Sequence, residues 1–410
     1  MRYLFSHAFW GRSHADRFLD YCLPSMLGAG NLAAVPNLSN SLFQIVTTQA
    51  DWAYIDEAPA IVALRELIEV EFTDIDAYLT EDSRENKYFR MSEAQIAALD
   101  RVGEFDAIFF GYADFIWSAG ALGNAARRLE QGYDAVFCPG LRAEESNLLA
   151  ALRKNRNHWT LDMASTALSL TVPPRDLAAA SLANLHSHAR ANFVDAKLRS
   201  LTPAFQVWPV PTQGVLMRWF HLHPVVIRTF IDNQKIPGSF SGSLDADYVP
   251  AVFDSTEKLY LASDSDEISF VSLSPAYFEP PTQQPRTLRS IAAWAENYAD
   301  LIHREFFDNA YRFHYADMDP DLWARAEQAS AKFASSLRMR MLTPDSVLAA
   351  SDSEAVFFRE QKTGASLSAA PPPPPPAPEP APEASPVAEG AANRSRFTRI
   401  LAAAVKEALR

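Results

Sequence analysis

The chain has 410 residues, with 37 basic and 50 acidic side chains and a formal net charge of −13. Its 48% of apolar residues and 14 glycines exclude a collagen-like or wholly disordered protein, and the length allows one large or two ordinary domains. The acid excess argues against broad binding of nucleic acid, because clustered Lys and Arg are needed to displace counterions from phosphates. We therefore expect no nucleic-acid partner.

Cysteine content and hydropathy indicate the compartment. Two cysteines, Cys22 and Cys138, are too few for a disulfide framework or a four-thiolate metal site. No uncharged apolar run reaches the roughly 18 residues of a membrane span, and His7 interrupts the N-terminal segment before a signal-peptide core can form. We expect a cytoplasmic protein without a transmembrane segment, whose contact with the inner membrane would be peripheral.

The first 140 residues alternate strand-like and helix-like segments. The predicted strands span 2–5, 42–47, 69–75 and 105–110, and the predicted helices begin near Ser13 and span 58–68 and 92–99. Strands separated by helices of this length favour an α/β fold, with helices on both faces of a largely parallel sheet. Ligands of such sheets bind at the carboxyl ends of the strands, so the site is expected there.

The composition changes after this α/β domain, which is predicted to span residues 1–285. Residues 286–342 have helical spacing and predict two helices packed on the α/β domain, the second beginning after Asp319. Residues 343–392 predict a disordered Pro-rich linker, since 10 of the 28 prolines fall between Pro371 and Pro386. Residues 393–410 predict a basic amphipathic helix. That helix either folds back on the acidic body or binds a protein partner or a membrane surface.

Polar and aromatic residues follow the ends of the predicted strands. Trp10 follows the first strand, Thr47 and Asp51 lie at the end of the second, and Asp114 follows the fourth. A flat ring beside hydroxyls and a carboxylate suits a nucleobase, a ribose and a phosphate-bound cation, although a packing role for Trp10 is an equal alternative. No Gly-x-Gly-x-x-Gly or Gly-x-x-x-x-Gly-Lys motif follows the first strand, which argues against a dinucleotide oxidoreductase and a P-loop enzyme.

Short motifs occur in a specific order along residues 1–285. They are Ser6-His7-Ala8-Phe9-Trp10-Gly11, Cys22-Leu23-Pro24-Ser25, Gly30-Asn31, Lys87-Tyr88, Asp106-Ala107-Ile108-Phe109-Phe110, Trp117-Ser118-Ala119-Gly120, Ala135-Val136-Phe137-Cys138-Pro139-Gly140-Leu141-Arg142, Phe220-His221-Leu222-His223-Pro224, Ser243-Leu244-Asp245-Ala246-Asp247-Tyr248 and Ser263-Asp264-Ser265-Asp266-Glu267. In these motifs the chain resembles a bacterial family of glycosyltransferase-like proteins of GT-A type.

This resemblance implies a GT-A-like, Rossmann-like mixed sheet and a nucleotide-sugar donor. It also implies a divalent cation, Mn²⁺ or Mg²⁺, which neutralises the leaving diphosphate. GT-A enzymes usually supply the metal ligand through an Asp-x-Asp motif at the end of the fourth strand, where this chain has Tyr112-Ala113-Asp114. Asp114 is therefore expected to face the diphosphate, and Ala119 stands where the family often has an acidic residue.

Two literal Asp-x-Asp triplets occur further along the chain, at Asp245 with Asp247 and at Asp264 with Asp266. Alternate residues of an extended segment face the same side, so each pair can bind one ion. The alternative for each is a solvated turn or a helix cap. We assign the carboxylates of Asp245 and Asp247 to the cation or donor, together with that of Asp114, and those of Asp266 and Glu267 to activation of the acceptor.

Histidine pairs and an arginine complete the candidate residues. His221 and His223 are two apart on an apolar strand-like run, which would point both imidazoles to one side for phosphate, base or metal binding. His186 and His188 have the same spacing on a helix-like segment, where the side chains diverge. Arg142 is a candidate for the diphosphate because a guanidinium binds phosphate oxygens bidentately. The alternative for Arg142 is a surface salt bridge.

The resemblance, together with these candidate residues, implies a glycosyltransferase. It would move a sugar from a nucleotide-sugar donor to a glycan or protein-linked acceptor, in bacterial surface polysaccharide assembly. The alternative is a catalytically silent scaffold of the same fold that recruits a partner through its C-terminal helix, which Ala119 and the incomplete motif at Asp114 favour. A metal-dependent hydrolase built on the histidines and carboxylates is a third hypothesis.

Overall fold

The computed structural model of the chain describes residues 1–79, 87–163, 165–197, 199–229, 243–277, 282–283 and 287–342. These residues belong to one compact unit that spans Met1–Thr343. The predicted Pro-rich linker of residues 343–392 and the predicted basic helix of residues 393–410 lie outside the described residues.

Strands and helices alternate through the described part of the chain. The strands are β1 (Tyr3–Ala8), β2 (Leu42–Thr47), β3 (Glu69–Asp74), β4 (Ala107–Gly111), β5 (Phe115–Trp117), β6 (Ala135–Cys138), β7 (Gly140–Glu144), β8 (Trp159–Leu161), β9 (Ala167–Leu170), β10 (Arg199–Ser200), β11 (Phe205–Val210), β12 (Gly214–Trp219), β13 (His223–Arg228), β14 (Leu259–Leu261), β15 (Phe270–Ser274), β16 (Thr282–Gln283) and β17 (Ala310–His314). The α-helices are α1 (Arg12–Arg17), α2 (Leu23–Met26), α3 (Gln49–Asp56), α4 (Pro59–Arg65), α5 (Lys87–Leu99), α6 (Ala121–Glu130), α7 (Glu145–Lys154), α8 (Pro174–Ala183), α9 (Ser187–Arg190), α10 (Val249–Val252), α11 (Leu288–Tyr298), α12 (Leu301–Asp308) and α13 (Pro320–Leu342).

The main sheet has the strand order β14-β6-β13-β4-β1-β2-β3. Its strands run parallel except β13, which is antiparallel to both of its neighbours. Phe5 of β1 packs into the core on one face of the sheet and Leu4 into the core on the other. Because both faces are covered, β1 and β2 are buried along their whole lengths. The expected α/β fold, a mixed sheet flanked by helices, is confirmed.

Two smaller three-stranded sheets flank the main sheet, with the orders β5-β15-β7 and β11-β12-β17. The strand-like run that carries the histidine pair was expected to be continuous, and this expectation is wrong. The run divides into β12 and β13, which belong to different sheets. Phe220, between the two strands, is fully buried in a separate apolar cluster with Trp294 of α11. Because this ring is buried between the two strands, the chain leaves the small sheet after β12 and enters the main sheet as β13.

The segment 286–342 contains a strand as well as helices. Residues 310–314 form β17, in which Tyr311 and Phe313 pair with Met217 and Val215 of β12. The expectation of two helices alone is therefore incomplete, because the alternation of buried and half-buried residues in β17 has the period of a strand. The last helix, α13, begins at Pro320 as predicted, and Asp319 caps it by accepting hydrogen bonds from two backbone N–H groups.

A buried asparagine joins two of the segments that carry the family resemblance. The amide nitrogen of Asn31 donates to the carbonyl oxygens of Ser25 at 2.8 Å and Ser118 at 3.0 Å. Its amide oxygen accepts from the backbone N–H of Leu122 at 3.0 Å. Asn31 has no exposed surface, so these bonds satisfy its amide inside the core. Asn31 and Ser118 therefore have a structural role.

We expect substitution of Gln213 by Leu to lower the free energy of unfolding by about 2 kcal/mol, as measured by urea denaturation. The side-chain oxygen of Gln213 accepts from the backbone N–H of Asp319 and from the indole N–H of Trp323, both at 2.8 Å. Trp323 is 3% exposed, so the variant leaves a buried donor unsatisfied.

Gln206 provides a matched control, since it is also a buried glutamine. Its side-chain oxygen has no hydrogen-bond partner among the described residues, and its side-chain nitrogen donates to the adjacent carbonyl of Phe205 at 2.7 Å. Gln206→Leu should therefore cost less stability than Gln213→Leu. Equal destabilisation in the two variants would contradict the role of Gln213.

Candidate functional site

The strand order of the main sheet defines one edge as the expected ligand site. From β1 the chain continues outward through β2 and β3, whereas β4 lies on the other side of β1. Ligands of open α/β sheets bind at such a switch point, outside the carboxyl ends of the strands. Because β13 is antiparallel, it starts at this same edge, where His223 pairs with Cys138 at the end of β6.

The ends of β1 and β2 hold three of the predicted donor-binding residues. The Asp51 carboxylate accepts from the backbone N–H of Gly11 at 2.9 Å and lies 3.5 Å from the Thr47 hydroxyl. It therefore fastens the loop after β1 to the start of α3. The guanidinium of Arg90 lies 4.6 Å from the ring centroid of Trp10. One face of this indole is thus covered, and a stacked base would use the other.

His7, near the end of β1, is a buried neutral histidine. Its ring stacks on Phe43 with centroids 4.9 Å apart, and it lies against Gly111 at the end of β4. Neither ring nitrogen has a hydrogen-bond partner among the residues that the structure describes. Burial, with a smaller effect of His223, lowers the pKa of His7 to about 3. His7 is therefore uncharged at neutral pH and packs as a core residue.

His223 and Tyr112 lie next to His7 at the same edge. Nε2 of His223 donates to the carbonyl oxygen of Phe110 at 3.0 Å, and its ring centroid is 5.4 Å from that of Tyr112. Burial lowers the pKa of His223 to about 4 and raises that of Tyr112. With Nε2 as the donor, Nδ1 is the acceptor of a neutral ring. This edge of the sheet thus contains a proton acceptor, Nδ1 of His223, and a phenol that stays protonated, the side chain of Tyr112.

Asp114 begins a polar strip that runs across the small sheet β5-β15-β7. Its carboxylate accepts from the Ser272 hydroxyl at 2.9 Å, and Ser272 is paired with Arg142 of β7. Cross-strand partners share one face of a sheet, so Ser272 and Arg142 lie on the same side. Burial and the charge of Arg142 lower the pKa of His188 to about 3. The strip therefore presents an anion, a hydroxyl and a cation in sequence.

Asp245 and Asp247 do not lie on an extended segment, so the expectation that their carboxylates face one side is wrong. They belong to a π-helical turn, Leu244–Tyr248, and Asp245 accepts from the hydroxyl of Ser243 just before the turn. The negative charge of Asp245 raises the pKa of Tyr112 and offsets part of the lowering at His223. Asp245 therefore belongs to the same edge as His223, whereas Asp247 is exposed on the turn.

His221 and His223 also contact different groups. Nε2 of His221 donates to the carbonyl oxygen of Tyr298 at 2.9 Å, and its ring centroid lies 4.6 Å from that of His303. Nε2 of His303 donates to the backbone carbonyl of Asp245 at 3.0 Å. His221 therefore helps to hold α11 and α12 against the turn that carries Asp245, and the expected same-facing pair is not formed.

Asp266 and Glu267 lie in a different part of the molecule. They follow β14, which is three strands from β4, about 14 Å at the usual strand spacing. Arg128 donates to the Glu267 carboxylate at 2.7 Å, and the Tyr260 hydroxyl donates to its other oxygen. A cavity of about 430 Å³ opens here, lined by Asn124, Arg127, Arg128, Gln131, Asp264, Asp266 and Glu267. The predicted site residues are therefore divided between two places.

His314, at the end of β17, lies beside this cavity and was not among the sequence-predicted residues. Its Nε2 lies 3.0 Å from Asp264 and 3.7 Å from Asp266, and the contact with Asp264 raises the pKa of His314. The ligand atoms of these three residues lie within 4.8 Å of one another. The alternation of residues 310–314 could have predicted a strand ending in a histidine, but not its partners.

The cation that the family resemblance implies does not fit the edge at β4. Within the described ranges, Asp264, Asp266 and His314 are the set of three that converges as metal ligands, and Asp114, Asp245 and Asp247 form no such set. Asp114 is hydrogen-bonded to Ser272. The arrangement there suits a diphosphate bound by Arg142 better than one bound through a metal.

The similarity of this chain to known proteins is low. No family model matches the chain, and no curated protein matches it. A protein of Bacillus anthracis described as a glucose-1-phosphate thymidylyltransferase, solved with a sucrose, matches 36% of this chain at 11% identity with a TM-score of 0.23. Mouse xyloside xylosyltransferase 1 matches 39% at 11% identity with a TM-score of 0.22. The chain spans 57% and 61% of these two proteins.

Insertion of a helix across a membrane requires a long apolar segment. Within the described ranges, no helix combines the length and the apolar character that a membrane crossing requires.

Proposed function

We propose that the protein is a GT-A-like glycosyltransferase that moves a sugar from a nucleotide-sugar donor to a hydroxyl of a glycan or protein-linked acceptor. The observation that carries this proposal is the grouping of Arg142, Ser272 and Asp114 beside His223 at the switch point of the sheet. The resemblance of the sequence motifs to the bacterial family supports a role in surface polysaccharide assembly.

Arg142 binds the diphosphate of the donor in this proposal. A guanidinium offers two parallel N–H donors to phosphate oxygens and stabilises the charge that develops on the leaving diphosphate. The carboxylate of Asp114 accepts hydrogen bonds from hydroxyls of the ribose or the sugar, in addition to that of Ser272. Trp10 and Asp51, near the ends of β1 and β2, form the side of the site toward the nucleoside. Thr47 is fully buried and acts only through its contact with Asp51.

His223 removes the proton from the acceptor hydroxyl. Its Nε2 is occupied by the Phe110 carbonyl, so Nδ1 of the neutral ring accepts the proton, and the Asp245 charge stabilises the imidazolium that results. Asp245 acts on the reaction only through its effect on His223, so it is a positioning residue. Asp266 and Glu267 are not included in this proposed site because they face the separate cavity.

The proposal is tested by calorimetric titration of the purified full-length chain with a panel of nucleotide sugars, in Mn²⁺ and in EDTA. We expect binding of one nucleotide class in both buffers. Arg142→Ala should weaken it at least about tenfold, equivalent to about 1.4 kcal/mol. His223→Gln should leave binding intact and lower donor turnover by about 100-fold.

Asp114→Asn should weaken donor binding, because the carboxylate that accepts from Ser272 and from the donor hydroxyls becomes an amide. Asp106→Asn is its matched control. Asp106 lies just before β4, at the opposite edge of the sheet, where it accepts from the backbone N–H of Arg2 at 2.7 Å. The control should bind the donor as the unaltered chain does. Absence of binding and of donor hydrolysis across the whole panel would instead favour the scaffold, which recruits a partner through residues 393–410.

A further inference from the structure

We propose that Asp264, Asp266 and His314 form a binding site for a divalent transition-metal cation, separate from the proposed sugar-transfer site. The three side chains come from two segments, the loop after β14 and the end of β17. Their ligand atoms lie within 4.8 Å of one another, so the three side chains could hold one metal ion. The proposal concerns metal binding alone and does not depend on the nucleotide-sugar proposal.

His314 is a buried residue whose two ring nitrogens both face oxygen atoms. The residue is 1% exposed, and its Nδ1 lies 3.0 Å from the carbonyl oxygen of Ala316. Its Nε2 lies 3.0 Å from a carboxylate oxygen of Asp264. An imidazole that donates its Nδ1 hydrogen to a carbonyl has a lone pair on Nε2 with which it can bind a metal. The geometry therefore places Nε2 beside the carboxylates that would share a cation with it.

The hydrogen bond at Nδ1 prepares Nε2 as a metal ligand. Ligating histidines commonly donate their other ring N–H to a backbone carbonyl or a carboxylate, which sets the tautomer and the orientation of the ring. The Ala316 carbonyl has this position relative to His314. Nε2 is thereby directed toward Asp264 and, at 3.7 Å, toward Asp266.

The backbone holds the two ligand-bearing segments together before any ion binds. The backbone N–H of Ser265 donates to the carbonyl of Arg312 at 2.8 Å, and that of Arg312 donates to Ser263 at 2.9 Å. The Ser265 hydroxyl accepts from the backbone N–H of His314 at 3.1 Å. The Asp264 carboxylate accepts from the backbone N–H of Asp266 at 2.9 Å. These bonds preorganise the ligands, which reduces the entropy lost when a cation is bound.

Access to the site is through the cavity of about 430 Å³, since Asp264 and Asp266 line its wall. Oδ2 of Asp266, the oxygen nearest His314, also accepts from Arg175 at 3.1 Å, and a carboxylate has enough lone pairs to accept from arginine and bind a metal at once. One imidazole and two carboxylates suit Zn²⁺ or Mn²⁺ better than Mg²⁺ or Ca²⁺, which prefer oxygen alone. Three protein ligands leave a coordination position open to the cavity.

The test uses the full chain freed of metal with a chelator and dialysed against Zn²⁺ or Mn²⁺ alone, without nucleotide. We expect one ion per chain by elemental analysis, and visible absorption bands of nitrogen and oxygen ligation when Co²⁺ replaces it. Asp266→Asn and His314→Gln should each weaken binding at least about tenfold. Asp317→Asn is the control, because Asp317 also pairs with Arg175 but lies outside the set of three.

Three outcomes would overturn the proposal. They are no stoichiometric binding by the unaltered chain, equal binding by the Asp266→Asn and Asp317→Asn variants, and Co²⁺ bands that persist after His314→Gln. Asp266 is 40% exposed, so its variant keeps the test valid if His314→Gln fails to fold. Each of these outcomes counts against the metal site whatever the result of the nucleotide titrations, which concern the separate sugar-transfer site.

Discussion

Acidification from pH 7 to pH 5 is expected to lower the free energy of unfolding by about 8 kcal/mol, a large part of the stability of an ordinary domain. Burial lowers the pKa values of His7, His188 and His303 to about 3 and that of His223 to about 4. The unfolded chain has histidine pKa values of about 6.5, so it binds more protons than the folded chain below that pH.

The direction follows from this difference in bound protons. A histidine with a lowered pKa in the folded state contributes its full stability above the unfolded value, and the stability is lost as the pH falls toward the folded value. At pH 5 each of the four rings accounts for about 2 kcal/mol. His314, whose pKa is raised, changes stability in the opposite sense and offsets part of the loss. Urea titrations at a series of pH values measure the net effect.

His7→Leu isolates the contribution of one ring. His7 has no hydrogen-bond partner among the described residues, so the substitution removes a buried polar group at little cost at pH 7. The variant should lose about 2 kcal/mol less stability than the unaltered chain between pH 7 and pH 5. Identical pH profiles for the two proteins would show that His7 is not buried as an uncharged ring.

We expect Gly111→Ala to lower the free energy of unfolding by about 3 kcal/mol in thermal and urea denaturation. A Cβ atom at Gly111 would lie 2.0 Å from Nε2 of His7, a distance that no non-bonded pair tolerates. The His7 ring cannot move aside easily, because it stacks on Phe43 and packs against Phe18. The added methyl group must therefore displace the end of β4, which leads directly into Tyr112 and Asp114.

A double-mutant cycle separates this clash from other effects of the substitution. His7→Ala alone removes a buried ring and should also be destabilising, because it leaves a cavity. In the double variant, the new methyl group occupies part of that cavity. The two losses should then be less than additive by about 2 kcal/mol. Additive losses would indicate that Gly111 tolerates a side chain and that the clash is relieved by another route.

The sequence was sufficient to predict elements with strong local signals. The strand 42–47 was predicted with the bounds that the structure has, and the predicted strand 69–75 differs from β3 by one residue. Continuous apolar runs between polar breaks are typical of buried parallel strands, and such signals are contained within a few neighbouring residues. The α/β class followed from the alternation of these elements with helices.

The predictions that are wrong concern segments whose structure depends on contacts with distant parts of the chain. His221 and His223 were placed on one strand because hydropathy does not show that burial of Phe220 interrupts it. β17 was assigned to a helical segment because five alternating residues give a weak signal among long helices. Its identity as a strand depends on pairing with β12, far away in the chain.

The candidate site residues were likewise predictable from local sequence only in part. That Asp114 follows a strand end was predicted from local pattern, and the structure does place it at the edge where β4 ends. That Asp266 lies elsewhere depends on the position of β14 at the far side of the sheet, which no local pattern encodes. The sequence identifies the side chains that can carry out chemistry, whereas the order of the strands determines which of them lie close together.

The pairing of β12 with β17 also determines when the protein can complete its structure during translation. β12 ends at Trp219, but its second neighbour is not synthesised until His314 has been added. At about 5–20 residues per second, the nascent chain carries an unpaired strand edge for on the order of ten seconds. Such an edge is a template for association with other chains. Slow codons or ribosome pausing in this interval would therefore prolong the period in which nascent chains can aggregate.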